Sequence, residues 1–120
     1  MPTSGTPRGP LNGVRVIDLT TVMFGPYCTQ IMGEMGADVV KVEGPEGDIS
    51  RQVGNSRSPG MSAAFLIKGR NKRSVVLDLK QPEAREALYK LCATADVFIH
   101  NMRHKAAAKL GIAYEAVSYT

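Results

Sequence analysis

Apolar and polar positions alternate from residue 14 to 19, VRVIDL, a run rich in Val, Ile and Leu that predicts a strand. A loop, TTVMFG, follows, and Pro26 fits the first position of a helix, where its missing N–H costs nothing. Along PYCTQIMGEM the residues Tyr27, Ile31, Met32 and Met35 form an apolar stripe, and Gly36 is a natural stop. DVVKVE is a second strand, so strand, helix and strand fit the size of a βαβ unit with a parallel pair. Residues 44–62 carry Gly, Pro, Ser and Asn at loop density, and a loop of that length is more often functional or mobile. AAFLIK is a short apolar element that periodicity leaves undecided. SVVLDL at 74–79 reads as a third strand, Pro82 opens a helix with Ala84, Ala87, Leu88, Leu91 and Cys92 facing a core, and DVFIHN at 96–101 reads as a fourth strand. A helical stretch over roughly 103–110 stops at Gly111, and YEAVS begins another helix. Strands alternating with helices predict an α/β fold, Rossmann-like, with a mostly parallel sheet and flanking helices.

Composition changes this picture little. The 120 residues, 43% hydrophobic and 22% charged, suit one modest globular core. No apolar run reaches the length of a membrane span. The N-terminus MPTSGTPRGP lacks an apolar signal core, and its composition predicts a disordered leader over 1–10, ahead of a domain over 11–120. Cys28 and Cys92 stand far apart, outside metal or redox spacing, and both fall on predicted apolar helix faces as reduced, buried thiols. A cytoplasmic location is the expectation that follows. The net charge of +4 is uneven, because the excess of Lys and Arg lies in the second half and invites an anionic ligand.

Ligands of parallel α/β sheets bind at the carboxyl ends of the strands. Those ends are TTVMFG, GPEGD, the KQ after Leu79, and HNMR. Glu43, at the end of the second strand, stands where a dinucleotide fold places its ribose-binding acid. The first strand-to-helix turn, however, offers only Gly25 and sets Met23 and Phe24 where a pyrophosphate would pass, so a nicotinamide cofactor is rejected. His100 and His104 straddle a strand end and a loop with no third ligand, which rejects a metal site. Arg70, Lys72 and Arg73 lack the aromatic interleaving of a nucleic-acid surface. Neither a nucleic acid nor a membrane is expected as a partner.

The segments PLNGVRVIDLTTVMFGPYCTQIMGEMGADVVKVEGPEGDISR, NKRSVVLDLK, ADVFIHNMR and LGIAYEAV, in that order and spacing, resemble the N-terminal part of the class III coenzyme A transferases of the CaiB/BaiF type. That family includes formyl-CoA:oxalate and carnitine-related CoA transferases and has 2-methylacyl-CoA racemases as relatives. The resemblance implies a truncated N-terminal part of a larger fold in which two chains interlock as linked rings, hence a homodimer. It implies coenzyme A or acyl-CoA as a substrate, not a tightly bound cofactor, with a carboxylic acid as the second substrate. By alignment, Met23 and Phe24 occupy the first CoA-contacting loop. Leu77, Asp78, Leu79 and Lys80 lie at the third strand's end, Asn101, Met102 and Arg103 at the fourth, and Lys109 where the family often carries a basic residue. Lys72, Arg73, Lys80, Arg103 and Lys109 would meet the 3′-phosphate and diphosphate, as a cationic cluster suits such a ligand.

The family's nucleophile is an aspartate that in its order comes beyond Thr120, so no residue of this chain is assigned a catalytic role. Three departures stand out. Gly44 replaces an Arg or similar polar residue, HNMRHKA replaces an acidic-Asn-aromatic-Arg-Pro-Gly pattern, and Phe24 replaces a residue that is commonly small. Two readings follow: part of a CoA transferase (or racemase relative) with its chemistry elsewhere, or a free-standing domain that binds CoA or a nucleotide without catalysis.

Overall fold

A computed structural model describes residues 9–118; most of the expected leader, residues 1–8, lies outside the described residues. The elements in order are β1 (Arg15–Asp18), α1 (Phe24–Glu34), β2 (Asp38–Glu43), a one-turn 3-10 helix (Ile49–Gln52), α2 (Ala63–Lys68), β3 (Lys72–Val76), α3 (Pro82–Cys92), β4 (Val97–Ile99), α4 (His104–Lys109) and α5 (Tyr114–Val117). The strands form one four-stranded sheet in the order β3-β2-β1-β4, and every pairing is parallel. This is the α/β architecture that the alternating pattern predicts.

The two faces of the sheet are built differently. Ile17, Leu19, Val40 and Val42 point to one side, where they join Leu79, Leu88, Cys92, Ala107 and Ile112 in an apolar core under α3 and α4. On the other side Val16 and Val39 supply a small apolar cluster with Ala37. That face also carries four buried ionic side chains, Asp18, Lys41, Glu43 and Lys72. The Lys72 ammonium, with its side chain 2% exposed, donates to Asp18 Oδ2 (3.0 Å), Thr29 Oγ1 (2.7 Å) and the Pro26 carbonyl (2.9 Å). Asp18, fully buried, also accepts from Thr20 N and from the Thr20 and Thr29 hydroxyls. Burial pushes the Lys72 ammonium below the ordinary lysine value, against the charge and hydrogen bond of Asp18.

That ionic face explains where the helix departs from its pattern. α1 docks through Pro26, Thr29 and Gln30, because Thr29 serves the Asp18–Lys72 pair, while Tyr27 and Met35 of the apolar stripe stay exposed. Cys28 lies on that outer side and is exposed, contrary to the expected burial; Cys92 is buried, and desolvation raises its thiol pKa. The helix begins at Phe24, two residues before Pro26, which still lies within the first turn where N–H groups lack helical partners. Gly25 is required there for contact, since a Cβ would lie 2.4 Å from Thr20 Cβ. Gly36, at φ +101°, turns the chain into β2 as expected.

Two further expectations shift. β3 runs over Lys72–Val76, earlier than 74–79, because Leu77 and Leu79 enter the apolar core after the strand has ended. The long loop contains the 3-10 turn and an isolated antiparallel bridge, Ser56 to Ser62. AAFLIK resolves as a helix, α2, whose N-cap Ser62 accepts from Phe65 N–H.

Removing one charge from a buried pair leaves the other uncompensated. Lys72→Met should therefore lower the unfolding free energy by about 3–5 kcal/mol, measured by urea denaturation. Removing Asp18 as well should cost less than the two single losses added together. A loss under about 1 kcal/mol would mean that the pair behaves like one on the surface.

Candidate functional site

The segments just beyond the four strands meet in one cleft of about 250 Å³. Leu19 and Thr21 come from the end of β1, residues 44–48 from the end of β2, Leu77 to Lys80 from the end of β3, and Met102 from the end of β4. Leu110, at the end of α4, completes the wall. This is the position at which a parallel α/β sheet exposes backbone groups and loops to a ligand. Its surface is largely apolar, with Val42, Pro45 and the leucines beside Met102, which suits a flat heterocycle or an alkyl chain.

The carboxylates around the cleft are mostly committed to the protein itself. Glu43 receives a two-point contact from Arg51, Nη2 to Oε1 at 2.7 Å and Nε to Oε2 at 2.8 Å. It also accepts from Asp48 N at 2.8 Å and from the Ser74 hydroxyl at 3.2 Å. The acid that stands at the ribose position of a dinucleotide fold is thus used up inside the fold. Arg51 in turn lies 3.8 Å over the Phe65 ring. Asp48 accepts from Lys41 Nζ at 3.0 Å and from Ser50 N at 2.9 Å, with both charged side chains buried. Lys41 also donates to the Thr20 carbonyl at 2.9 Å. The Gly-Asp and Arg spacing in GPEGDISR is therefore a loop-closing device: Asp48 and Arg51 fold the segment back onto β2.

The predicted contact residues divide into groups. Leu77, Asp78, Leu79, Lys80 and Met102 line the cleft. The Asp78 carboxylate accepts from Lys80 N at 3.1 Å, which shapes the turn after β3. Asn101 bridges the loops after β1 and β4, its amide donating to the Thr21 carbonyl at 2.9 Å and accepting from Thr21 N at 3.1 Å. Met23 and Phe24 stand outside the cleft wall, 54% and 84% exposed at the start of α1. Arg103 occupies the N-cap position of α4 without a side-chain capping bond, and Lys109 lies in the last turn, both exposed.

Lys72 and Arg73 are not brought to this site. Lys72 is buried under α1, as described. Arg73 pairs with Asp38 at the opposite, amino-terminal end of the sheet, where Arg15 joins the same carboxylate. Lys72 is thus enclosed with its counter-ion, whereas Arg73 is exposed but lies at the end of the sheet away from the cleft. His100 Nδ1 accepts from Met102 N at 3.2 Å, which shapes the turn after β4. Among the described residues no helix is long and apolar enough to cross a membrane.

The geometry defines a parallel α/β sheet protein with a largely apolar cleft across its strand ends. The comparisons with known proteins narrow this class. The sequence pattern of CoA-transferase family III matches residues 11–120, and the chain belongs to that family. It is 44% identical over 117 residues to the succinate–glutarate CoA-transferase of Agrobacterium fabrum, covering 92% of this chain and 29% of that one. It is 42% identical over 110 residues to the succinyl-CoA–L-malate CoA-transferase beta subunit of Chloroflexus aurantiacus, covering 91% and 27%. Among solved structures, a CaiB/BaiF family protein from Brucella suis superposes with a TM-score of 0.85 at 38% identity, over 92% of this chain and 30% of that one. The chain thus spans about 30% of the length of the proteins it matches.

Acid should dismantle the loop-closing contacts. Burial opposes ionisation of Glu43, and the Arg51 hydrogen bonds, the Asp48 N–H and the nearby charges of Arg51 and Lys41 outweigh it, holding the carboxyl below its ordinary value. Asp48 is held low in the same way, against burial, by Ser50 and Lys41. The stability that these groups contribute is fully present above the unfolded values of about 4 and is lost as pH falls through the lower folded values. Denaturation curves from pH 7 to pH 3 should show this acid-side decline, and Glu43→Gln should flatten it. An unchanged slope in that variant would remove Glu43 from the account.

Proposed function

We propose that this chain forms the N-terminal, coenzyme A-binding part of an enzyme that moves CoA between an acyl-CoA thioester and a carboxylic acid. The observation that carries the reading is the apolar cleft assembled from the segments beyond all four strands, in a chain that belongs to CoA-transferase family III. The adenine or pantetheine of CoA suits the apolar wall. Lys80, Arg103 and Lys109 remain as the cations for its phosphates, supported by their exposure and by their freedom from the ionic face under α1. CoA is then a substrate and not a resident cofactor, and its second substrate is a carboxylate.

The chemistry belongs to an aspartate beyond Thr120. Its carboxylate oxygen attacks the thioester carbonyl, the C–S bond breaks, and CoA leaves as a thiolate from an acyl-aspartyl anhydride. The thiolate then attacks the aspartyl carbonyl, releasing the donor acid and leaving an aspartyl-CoA thioester for the acceptor carboxylate to enter. Four carboxylates at or near the cleft support this allocation, since Asp18, Glu43 and Asp48 are buried in ion pairs and Asp78 is held in a turn. This part is inactive alone, and the full-length enzyme works as a cytoplasmic homodimer.

Relatives named for succinate, glutarate, succinyl-CoA and malate make succinyl-CoA, with a dicarboxylate acceptor, the first pair to assay in the full-length protein. Formation of a new acyl-CoA is the expected result. Binding of CoA without transfer to any carboxylate tried would favour a non-catalytic domain instead.

In the same protein, Lys80→Ala and Arg103→Ala should each weaken CoA by roughly ten- to a hundredfold and dephospho-CoA by less. Calorimetry with the two ligands separates the cases. Equal losses for both would remove these residues from the 3′-phosphate.

A further inference from the structure

The turn between β1 and α1 holds a backbone geometry that is costly for its residue. Val22 has φ 73°, in the left-handed region where a β-branched side chain is crowded and glycine or asparagine is much easier. Two buried side chains grip its peptide groups. Its N–H lies 3.3 Å from each carboxylate oxygen of Asp48. Its carbonyl accepts from Lys68 Nζ at 2.5 Å.

The gripping groups come from different parts of the chain and are themselves fixed. Asp48 caps the 3-10 turn and is tied to Lys41, while Lys68 is the buried last residue of α2. Both ends of the turn are anchored as well, Thr21 by Asn101 and Gly25 by its close approach to Thr20. Residue 22 is therefore the hinge that sets the direction of the two residues after it. A strained conformation persists only when its surroundings over-determine it, and such strain gathers where a side chain must be aimed. Here the residues aimed outward are Met23 and Phe24.

We propose that Asp48 and Lys68 are positioning residues that hold Val22 left-handed so that Met23 and Phe24 face the acyl-CoA substrate. The identity of what they face rests on the coenzyme A reading above; the clamp itself does not. It follows that the grip on Val22 acts on substrate affinity through the loop, without Lys68 touching the substrate.

The test uses the full-length protein. Lys68→Met removes one grip while keeping length and burial. It should raise KM for acyl-CoA about tenfold with a smaller change in kcat, and should speed hydrogen exchange across residues 22–24. Adding Val22→Asn, which tolerates positive φ without the grip, should bring KM back to within about threefold of the starting value, while the fall in Tm from losing the buried lysine remains. Val22→Pro fixes φ near −65° and removes the N–H held by Asp48 while Lys68 stays in place, and it too should raise KM, which keeps the test open should Lys68→Met fail to fold. An unchanged KM in Val22→Pro, or a KM in Lys68→Met that Val22→Asn leaves unrestored, would overturn the proposal. Calorimetry of the unaltered protein with CoA separates the two readings. Exchange behaviour as expected without CoA binding overturns the ligand, whereas CoA binding with exchange unaltered in Lys68→Met overturns the clamp.

Discussion

The buried pair of Asp18 and Lys72 is the constraint around which the rest is arranged. Two charges withdrawn from water need each other and need their remaining hydrogen-bonding positions filled. Thr20 and Thr29 fill those of Asp18, and Thr29 together with the Pro26 carbonyl fills those of Lys72. The arrangement fixes α1 on the sheet, brings the β1–α1 turn close enough that position 25 admits only glycine, and leaves Tyr27 and Met35 outward. Parallel strands buried on both faces usually read as continuous apolar runs, and β2 shows what happens here instead. In DVVKVE the valines at 40 and 42 serve one core, while Lys41 and Glu43 serve the ionic side.

The two faces divide the labour of making a site. The apolar face holds α3 and α4 and brings Leu79 and Leu110 to the floor of the cleft. The ionic face folds the segment after β2 back over the strand end through Arg51 and Asp48, which fixes the opposite wall. The cleft thus has an oily floor and a charge-stitched wall.

Much of this was legible in the residues. β2 is bounded as read, because Gly36 precedes it and β-branched residues fill it. The strand-end rule picked out the segments that form the cleft, with Leu77 to Lys80 and Met102 among them. Reading failed where tertiary contacts override local pattern. Leu77 and Leu79 looked like strand residues because they are apolar and alternate, yet they pack into the core beyond the strand. Lys72 and Arg73 read as cations for the CoA phosphates, since nothing local reveals that one reaches Asp18, 54 residues away, and the other Asp38. Of the stripe on α1, Met32 packs against the sheet while Tyr27 and Met35 are exposed, and the fully buried positions include Thr29.

That separation of 54 residues has a consequence for the order of events during synthesis. β1 and α1 leave the ribosome first, and until residue 72 has emerged the Asp18 carboxylate has no cation with which to enter the interior. The opening strand and helix therefore cannot settle alone as a finished unit. Lys72 on β3 supplies that cation, so the burial of β1 is coupled to the arrival of β3.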